Sequence, residues 1–262
     1  MRVAGAVTVV VTRPGAAGRA LVDELTRAGR PALWLPAFEF GPAPDQAHVR
    51  EVLASLADFD LAIFVSPQAV RATAALLAKQ WPAGTTIAAV GAGTRAAVLA
   101  AVPGADGARL LPANDDELDG SGSEALWPLL QATQPLPRRV LLLRAQHGRE
   151  WLADRLRAAG CTVAPLAVYS RLPAIPAEVL RARLEAAARD GLASVVSSSD
   201  AVAALAGMLA DQPQVLRALK AGTAIATHPR IAGQLRAAGY EHVSICRPEA
   251  AAIVALLREA GS

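Results

Sequence analysis

Six short stretches of this chain place hydroxyl, amide or guanidinium groups directly after an apolar run. They are Thr12-Arg13, Ser66-Pro67-Gln68, Gly91-Ala92-Gly93-Thr94, Arg144-Ala145-Gln146, Ser197-Ser198-Ser199 and Thr227-His228. A segment with helical spacing follows each one. The first N–H groups of a helix lack partners, and the helix dipole favours negative charge beside them. Arginine adds a flat, two-pronged cation that matches a carboxylate. The chemistry these residues offer is therefore the holding of anions. Helix capping alone would account for Ser66, Thr94 or Ser199 taken singly. It accounts less well for the recurrence of such ends in both halves of the chain.

Other chemistries find less support. Gly91-Ala92-Gly93 lacks the third glycine of a dinucleotide fingerprint, and there is no phosphate loop and no HExxH pattern. Of the four histidines, His48 and His242 read as surface residues and His147 as part of a loop. His228 reads as a cap or polar contact at a strand end, with catalysis as the alternative. Cys161 and Cys246 have no metal-ligand spacing and read as buried thiols. Asp115, Asp116, Glu117 and Asp119 lie in PANDDELDGSGS (112–123), a solvated loop. A metal site is the sharper alternative there, but the spacing fits no calcium loop.

The elements that must carry these ends alternate between strand and helix. Runs at 7–12 and 140–143 are unbroken and β-branched or aliphatic, as buried parallel strands require. Apolar residues at helical spacing follow: Leu21, Leu25 and Ala28, then Leu152, Leu156 and Ala159. Gly29 and Gly160 sit where a left-handed helix stop belongs, before short strands at 32–36 and 162–168. Strand–helix pairs are expected at 60–65 and 68–79, 86–90 and 94–101, 193–197 and 200–210, 223–227 and 230–238, and 243–246 and 249–260. The pattern is that of α/β domains with parallel sheets. The chain also repeats itself. Arg13 and Arg144, Gly29 and Gly160, and Phe38 and Tyr169 are each separated by 131 positions, while Ser66 and Ser198 are separated by 132. With 262 residues, this implies two similar domains. The proline-rich stretches 36–44 and 165–176 read as extended crossings between them.

Composition narrows the partners. The net charge is +3 and the pI about 9.3, and Lys79 and Lys220 are the only lysines, so the positive charge is nearly all arginine. No dense basic run marks a nucleic-acid face, which makes a small polyanion the better ligand. No apolar run approaches the ~18–20 residues of a membrane span. The N-terminal apolar stretch breaks at Thr12-Arg13-Pro14 and reads as a strand rather than a signal peptide. A cytoplasmic location is expected.

In their order and spacing, VTRP (11–14), LPAFEF (35–40), FVSPQAV (64–70), AAVGAGT (88–94), LLLRAQHGRE (141–150) and AVYSR (167–171) resemble the uroporphyrinogen-III synthase family. The resemblance covers the whole chain. It implies two similar parallel-sheet, flavodoxin-like α/β domains joined by two crossings, with a cleft between them. The first would comprise 1–36 plus 173–262 and the second 37–172. The implied activity is that of a hydro-lyase without metal or organic cofactor, which cyclises hydroxymethylbilane to uroporphyrinogen III. Water is lost and pyrrole ring D is inverted. The substrate carries acetate and propionate groups on every ring, which suits strand ends built of donors and arginines. Tyr169 aligns with the family's cleft tyrosine and is the expected catalytic group, assisting departure of the terminal hydroxyl; interfacial packing is the alternative. Ser66, Gln68, Thr94, Arg144 and Arg149 match the family's substrate-facing turns. Thr12, Arg13, Ser198, Ser199, Thr227 and His228 complete the expected substrate-binding set. Two departures stand out: Ala145-Gln146-His147 replaces smaller residues, and His228-Pro229-Arg230 stands where a Pro-Thr-Thr turn is common. A monomer is expected, and transient contact with the preceding enzyme of the pathway is left open. The competing readings are a non-enzymatic two-domain protein that binds a small polyanion and, less well supported, a Rossmann-like oxidoreductase.

Overall fold

Three consecutive valines show how the first sheet is layered. In the computed structural model, which describes residues 7–112, 122–247 and 249–259, Val9 and Val11 face one apolar cluster and Val10 faces another. They belong to β1 (Thr8–Val11), which is followed by α1 (Gly15–Arg27) and β2 (Ala32–Trp34). The remaining elements of that unit come late in the chain. They are α7 (Glu178–Ala188), β9 (Leu192–Val196), α8 (Ser199–Met208), α9 (Pro213–Ala221), β10 (Thr223–Ala226), α10 (Pro229–Ala237), β11 (His242–Ile245) and α11 (Ala250–Glu259). The strands form a parallel sheet in the order β11-β10-β9-β1-β2. Leu184 of α7, Leu205 of α8, Val215 of α9 and Leu235 of α10 cover one face; Leu21 and Leu25 of α1 and Ile253 of α11 cover the other.

The second unit holds the middle of the chain. It contains α2 (Gln46–Ala54), β4 (Leu61–Phe64), α3 (Pro67–Leu76), β5 (Thr86–Ala89), α4 (Ala92–Ala101), β6 (Leu110–Leu111), α5 (Ser123–Ala132), β7 (Arg139–Ala145) and α6 (Trp151–Ala158). With β3 (Phe38–Gly41) and β8 (Thr162–Pro173), its sheet has the order β3-β8-β7-β4-β5-β6. Leu61, Ile63, Val140 and Leu142 pack on Leu126 and Leu130 of α5 and Leu152 and Leu156 of α6. The units divide as residues 1–40 with 172–262, and 41–171. The chain thus passes between them twice, inside β3 and inside β8. The two proline-rich stretches are in large part ladder strands there, not bare extended chain.

The repeat is preserved down to register. Val9, Val10 and Val11 pair with Ala32, Leu33 and Trp34; Val140, Leu141 and Leu142 pair with Val163, Ala164 and Pro165. Every partner is displaced by the same 131 positions. The helix stops repeat too. Gly29 (φ +77°) and Gly160 (φ +90°) adopt the left-handed conformation. Arg30 N donates to Leu25 O, as Cys161 N does to Leu156 O. In unit 1 the sheet order, numbered along that unit, is the flavodoxin-like 2-1-3-4-5. Unit 2 has the same spatial order, but its β-α-β piece comes last in the chain.

Several elements escaped sequence reading: α2, α5, α7, α9 and β6. α7 buries Leu184 alone, so its periodic signal is weak, and β6 has two residues; α2, α5 and α9 each bury two apolar residues four apart, a helical period that the sequence does carry. Cys161 is buried, whereas Cys246 is only half-buried. Asp115, Asp116, Glu117 and Asp119 lie outside the described residues. No described helix is long and apolar enough to cross a membrane.

One core residue carries a liability. The Tyr240 hydroxyl is buried in the unit 1 core without a hydrogen-bond partner among the described residues, and burial pushes its phenol above the ordinary value. Tyr240→Phe is expected to raise stability by about 1 kcal/mol, because it removes an unsatisfied polar group. The unfolded chain gives up this proton first, so the Tyr240 contribution is complete below about pH 10 and lost as pH climbs further. Urea midpoints at pH 7 and pH 10.5 check both points: the variant should be more stable at the first and should fall less toward the second.

Candidate functional site

In an open parallel sheet, a ligand lies beyond the carboxyl ends of the strands where the strand order reverses. That switch point falls between β1 and β9 in unit 1 and between β7 and β4 in unit 2. The expected site residues cluster at these two places, and the structure separates them into groups that are free to bind and groups that are already committed.

At the unit 1 switch point, Thr12 is committed. It is 1% exposed, and its Oγ1 donates to Val195 O at 2.9 Å, tying the ends of β1 and β9 together. The neighbouring Arg13 is held through its backbone: Trp34 Nε1 donates to Arg13 O at 2.8 Å, and Arg19 lies over the Trp34 ring at 4.1 Å. The Arg13 guanidinium is different. It is half-buried and forms no hydrogen bond or ion pair among the described residues. Burial lowers its pKa from the ordinary guanidinium value, and the Glu249 carboxylate opposes that shift in part. A cation that has lost solvent and gained no close counter-ion is set up for an incoming anion.

Three hydroxyls adjoin it on the next strand ends. Ser198 holds the N-cap position of α8, yet its side chain makes no capping bond. Ser199, expected as the cap, is instead the first helical residue, and its Oγ is enclosed without a partner among the described residues. Thr227 is half-buried, and its hydroxyl makes no hydrogen bond among the described residues. His228 caps α10 by accepting from Arg230 N at Nδ1, 3.1 Å away. That ring nitrogen is therefore occupied.

At the unit 2 switch point the expected arginines are committed. Arg144 is 6% exposed and ion-paired with Glu150. Gly148 lies over it so closely that a Cβ there would sit 3.1 Å from Arg144 Nη2. Arg149 pairs with Glu124 at 2.6 Å. Thr94 is not a cap: Gly91 takes that position with φ +87°, and Thr94 Oγ1 donates back to Val90 O at 2.7 Å. Gln68 accepts from Arg71 Nε through its carbonyl oxygen at 3.4 Å, which leaves its amide N–H groups for other use.

What unit 2 does bring together is Ser66 and Tyr169. Ser66 caps α3, accepting from Ala69 N at 3.1 Å, with Pro67 at the first helical position. Its Oγ lies 3.2 Å from the Tyr169 hydroxyl. A bulge makes this contact. Arg144 pairs with Ala167 but Ala145 pairs with Tyr169, so β8 carries one extra residue at Val168. Without it, Ala145 would oppose Val168 and the tyrosine would project from the other face. Gln146 N then donates to Tyr169 O at 3.0 Å and holds the bulged strand in place.

Comparing the two corners shows why only one is cationic. The repeat mate of Glu150 is Arg19, so the carboxylate that neutralises Arg144 has no counterpart beside Arg13. In sequence Arg13 and Arg144 look alike. The signal was present in Glu150, six residues after Arg144 in LLLRAQHGRE, but the contact needs the folded loop. Glu150→Ala is expected to cost about 2 kcal/mol, between the values for exposed and buried ion pairs, with KM changed by less than about threefold. Urea unfolding and steady-state kinetics on one preparation check it.

A family model described as "Uroporphyrinogen-III synthase HemD" matches residues 19–255. Among curated proteins, the chain is 33% identical over 167 residues to a uroporphyrinogen-III synthase of Escherichia coli (strain K12), covering 63% of this chain and 65% of that protein. It is 29% identical over 185 residues to one of Synechococcus elongatus, covering 68% and 67%. The matched span is thus just under two thirds of the Escherichia coli protein. Among solved structures, a mutant uroporphyrinogen III synthase of Thermus thermophilus aligns with a TM-score of 0.62 and 23% identity, over 98% of this chain and 99% of that one. The uroporphyrinogen-III synthetase of Helicobacter pylori aligns with a TM-score of 0.57 and 16% identity, over 97% and 99%. These two alignments are likenesses of fold.

Proposed function

The chain belongs to the uroporphyrinogen-III synthase family, and from that premise we propose that it cyclises hydroxymethylbilane to uroporphyrinogen III, with loss of water and inversion of ring D. The observation that carries this reading is the uncommitted set Arg13, Ser198, Ser199 and Thr227 at the ends of three adjacent strands. One desolvated guanidinium with three hydroxyls suits a flexible substrate that carries a carboxylate on every arm. Thr12 and His228 frame those donors, with Thr12 Oγ1 and His228 Nδ1 already paired within the protein, and in unit 2 Thr94, Arg144 and Arg149 are paired in the same way. Gln68 keeps donors for a carboxylate at the second switch point.

The chemistry then asks little of the protein beyond placement. As the terminal C–O bond breaks, its electron pair leaves with the oxygen, which takes a proton and departs as water. The pyrrole nitrogen supplies electrons and becomes the azafulvene cation. Attack by the substituted carbon of ring D gives a spiro intermediate, which fragments and recloses inverted. The ring returns to aromaticity by losing one proton, so the donor is restored. The Ser66–Tyr169 hydroxyl pair supplies that donor. Holding the chain so that inversion outruns direct end-to-end closure is a matter of orientation. Our reading has the protein work as a cytoplasmic monomer on a small diffusing substrate.

The experiment supplies freshly generated hydroxymethylbilane, oxidises the products after a short incubation and separates the porphyrin isomers. Unassisted closure gives type I. Predominance of type III supports the reading. Type I alone, from folded protein, overturns it in favour of an anion-binding protein without turnover.

A further inference from the structure

We propose that Ser66, rather than Tyr169, is the group that touches the departing hydroxyl, and that Tyr169 acts through it as a positioning and proton-supplying residue. The inference rests on the reading above and concerns which of two adjacent hydroxyls meets the substrate. A serine hydroxyl has one donor and two acceptor sites. Ala69 N–H occupies one acceptor site of Ser66 at 3.1 Å. The Tyr169 hydroxyl, 3.2 Å away, occupies the other when the phenol donates. A phenol is the stronger donor of such a pair and an aliphatic hydroxyl the better acceptor. Both acceptor sites are then filled, and the serine proton is the one that points onward.

Burial ranks the two groups in the same order. Tyr169 is 2% exposed, one of the largest fully enclosed side chains in the protein, whereas Ser66 is half-buried. A proton leaving the phenol has Ser66 next to it, and Ser66 is the more accessible of the two. Ser66 also stands at the start of α3, a ten-residue helix. The Ala69 N–H and the helix dipole stabilise negative charge that develops on Oγ. The step balances. Ser66 gives its proton to the oxygen as the C–O bond breaks, and water leaves. The Ser66 oxygen takes the Tyr169 proton, leaving a phenolate, and the proton released when ring D regains aromaticity returns along the same path. Unit 1 has the matching serine, Ser198, but Phe38 at the tyrosine's repeat position, so it lacks the second hydroxyl.

A double-mutant cycle on kcat decides the order. Ser66→Ala is expected to lower kcat about 100-fold and Tyr169→Phe about 10-fold, with KM nearly constant. The double variant should be no slower than Ser66→Ala, because Tyr169 has nothing left to act through. Ser66→Asn keeps a capping side chain for α3 but no hydroxyl, and should lose as much as Ser66→Ala. Ser66→Thr keeps the hydroxyl and should lose far less. The proposal is overturned if Tyr169→Phe is the slower single variant and the double variant matches it, or if the two losses multiply. A second readout needs no turnover. The chain has two tyrosines, so in a Tyr240→Phe background the tyrosine Raman doublet reports Tyr169 alone. A donor signature that weakens in Ser66→Ala supports the wiring, and an acceptor signature overturns it. Should the wild type form only type I product, the functional reading fails while the Raman result still decides the hydrogen-bond direction.

Discussion

Gly18→Ala is expected to destabilise unit 1 by at least about 3 kcal/mol. Gly18 lies in the first half of α1, and a Cβ built on it would sit 1.8 Å from Arg13 O and 2.7 Å from Trp34 Nε1. Neither atom can yield easily. Arg13 O is backbone, and it accepts the Trp34 hydrogen bond at 2.8 Å. The methyl group would have to push α1 off β1, and Val9, Val11, Leu21 and Leu25 lose their packing when that happens. Against a typical total of about 5–15 kcal/mol, this is a large fraction. Urea unfolding followed by tryptophan fluorescence measures it. Gly233→Ala is the control. Gly233 is within α10, its Cβ would meet nothing within 4 Å, and the better helix former should add roughly 0.5–1 kcal/mol. If Gly18→Ala unfolds at the wild-type midpoint, the close approach of α1 to Arg13 does not hold this corner together.

Arg13→Leu is expected to raise KM roughly 10- to 100-fold, the loss of one good charged hydrogen bond to a carboxylate. It should leave kcat within about threefold. Folding stability should stay level or rise, since the variant removes a desolvated cation that the Glu249 carboxylate compensates only in part. That combination distinguishes a ligand-binding arginine from a structural one. Truncating Arg144 instead would remove the main partner of Glu150 and the side chain over which Gly148 lies. Ionic strength gives an independent check. Wild-type KM should climb with salt as charge attraction is screened, and the Arg13→Leu value should climb less. An unchanged KM in the variant would remove Arg13 from the binding set and with it the main support for the polyanion reading.

Much of the fold was legible because its signals are local. β1, β4, β7, β9 and β10 are short, mostly apolar and largely buried runs, and each leads through a short turn into a helix. The duplicated β-α-β could be read from residue identities 131 positions apart, and the structure repeats it in strand register and in the glycine helix stops. α7, which buries Leu184 alone, has too little period to be legible. In the candidate site, strand ends and residue types were legible, but the commitment of each side chain was not. Thr12 and Thr94 look like free hydroxyls in sequence and donate to backbone carbonyls in the fold.

The strand-to-helix corners follow from local sequence, because capping, helix stops and hydrophobic period depend on neighbours within a turn or two. The sequence also shows that these corners come in pairs. Which corner carries free charge depends on contacts made across the fold. Arg144 meets Glu150 across a loop, whereas Arg13 meets Trp34 through its carbonyl and keeps its guanidinium unpaired among the described residues. Only the tertiary structure brought Tyr169 to Ser66, 103 residues away, and it did so through one extra residue in β8. A bulge reverses the face that a side chain presents. It arises from the pairing of two strands, so no single stretch of sequence encodes it.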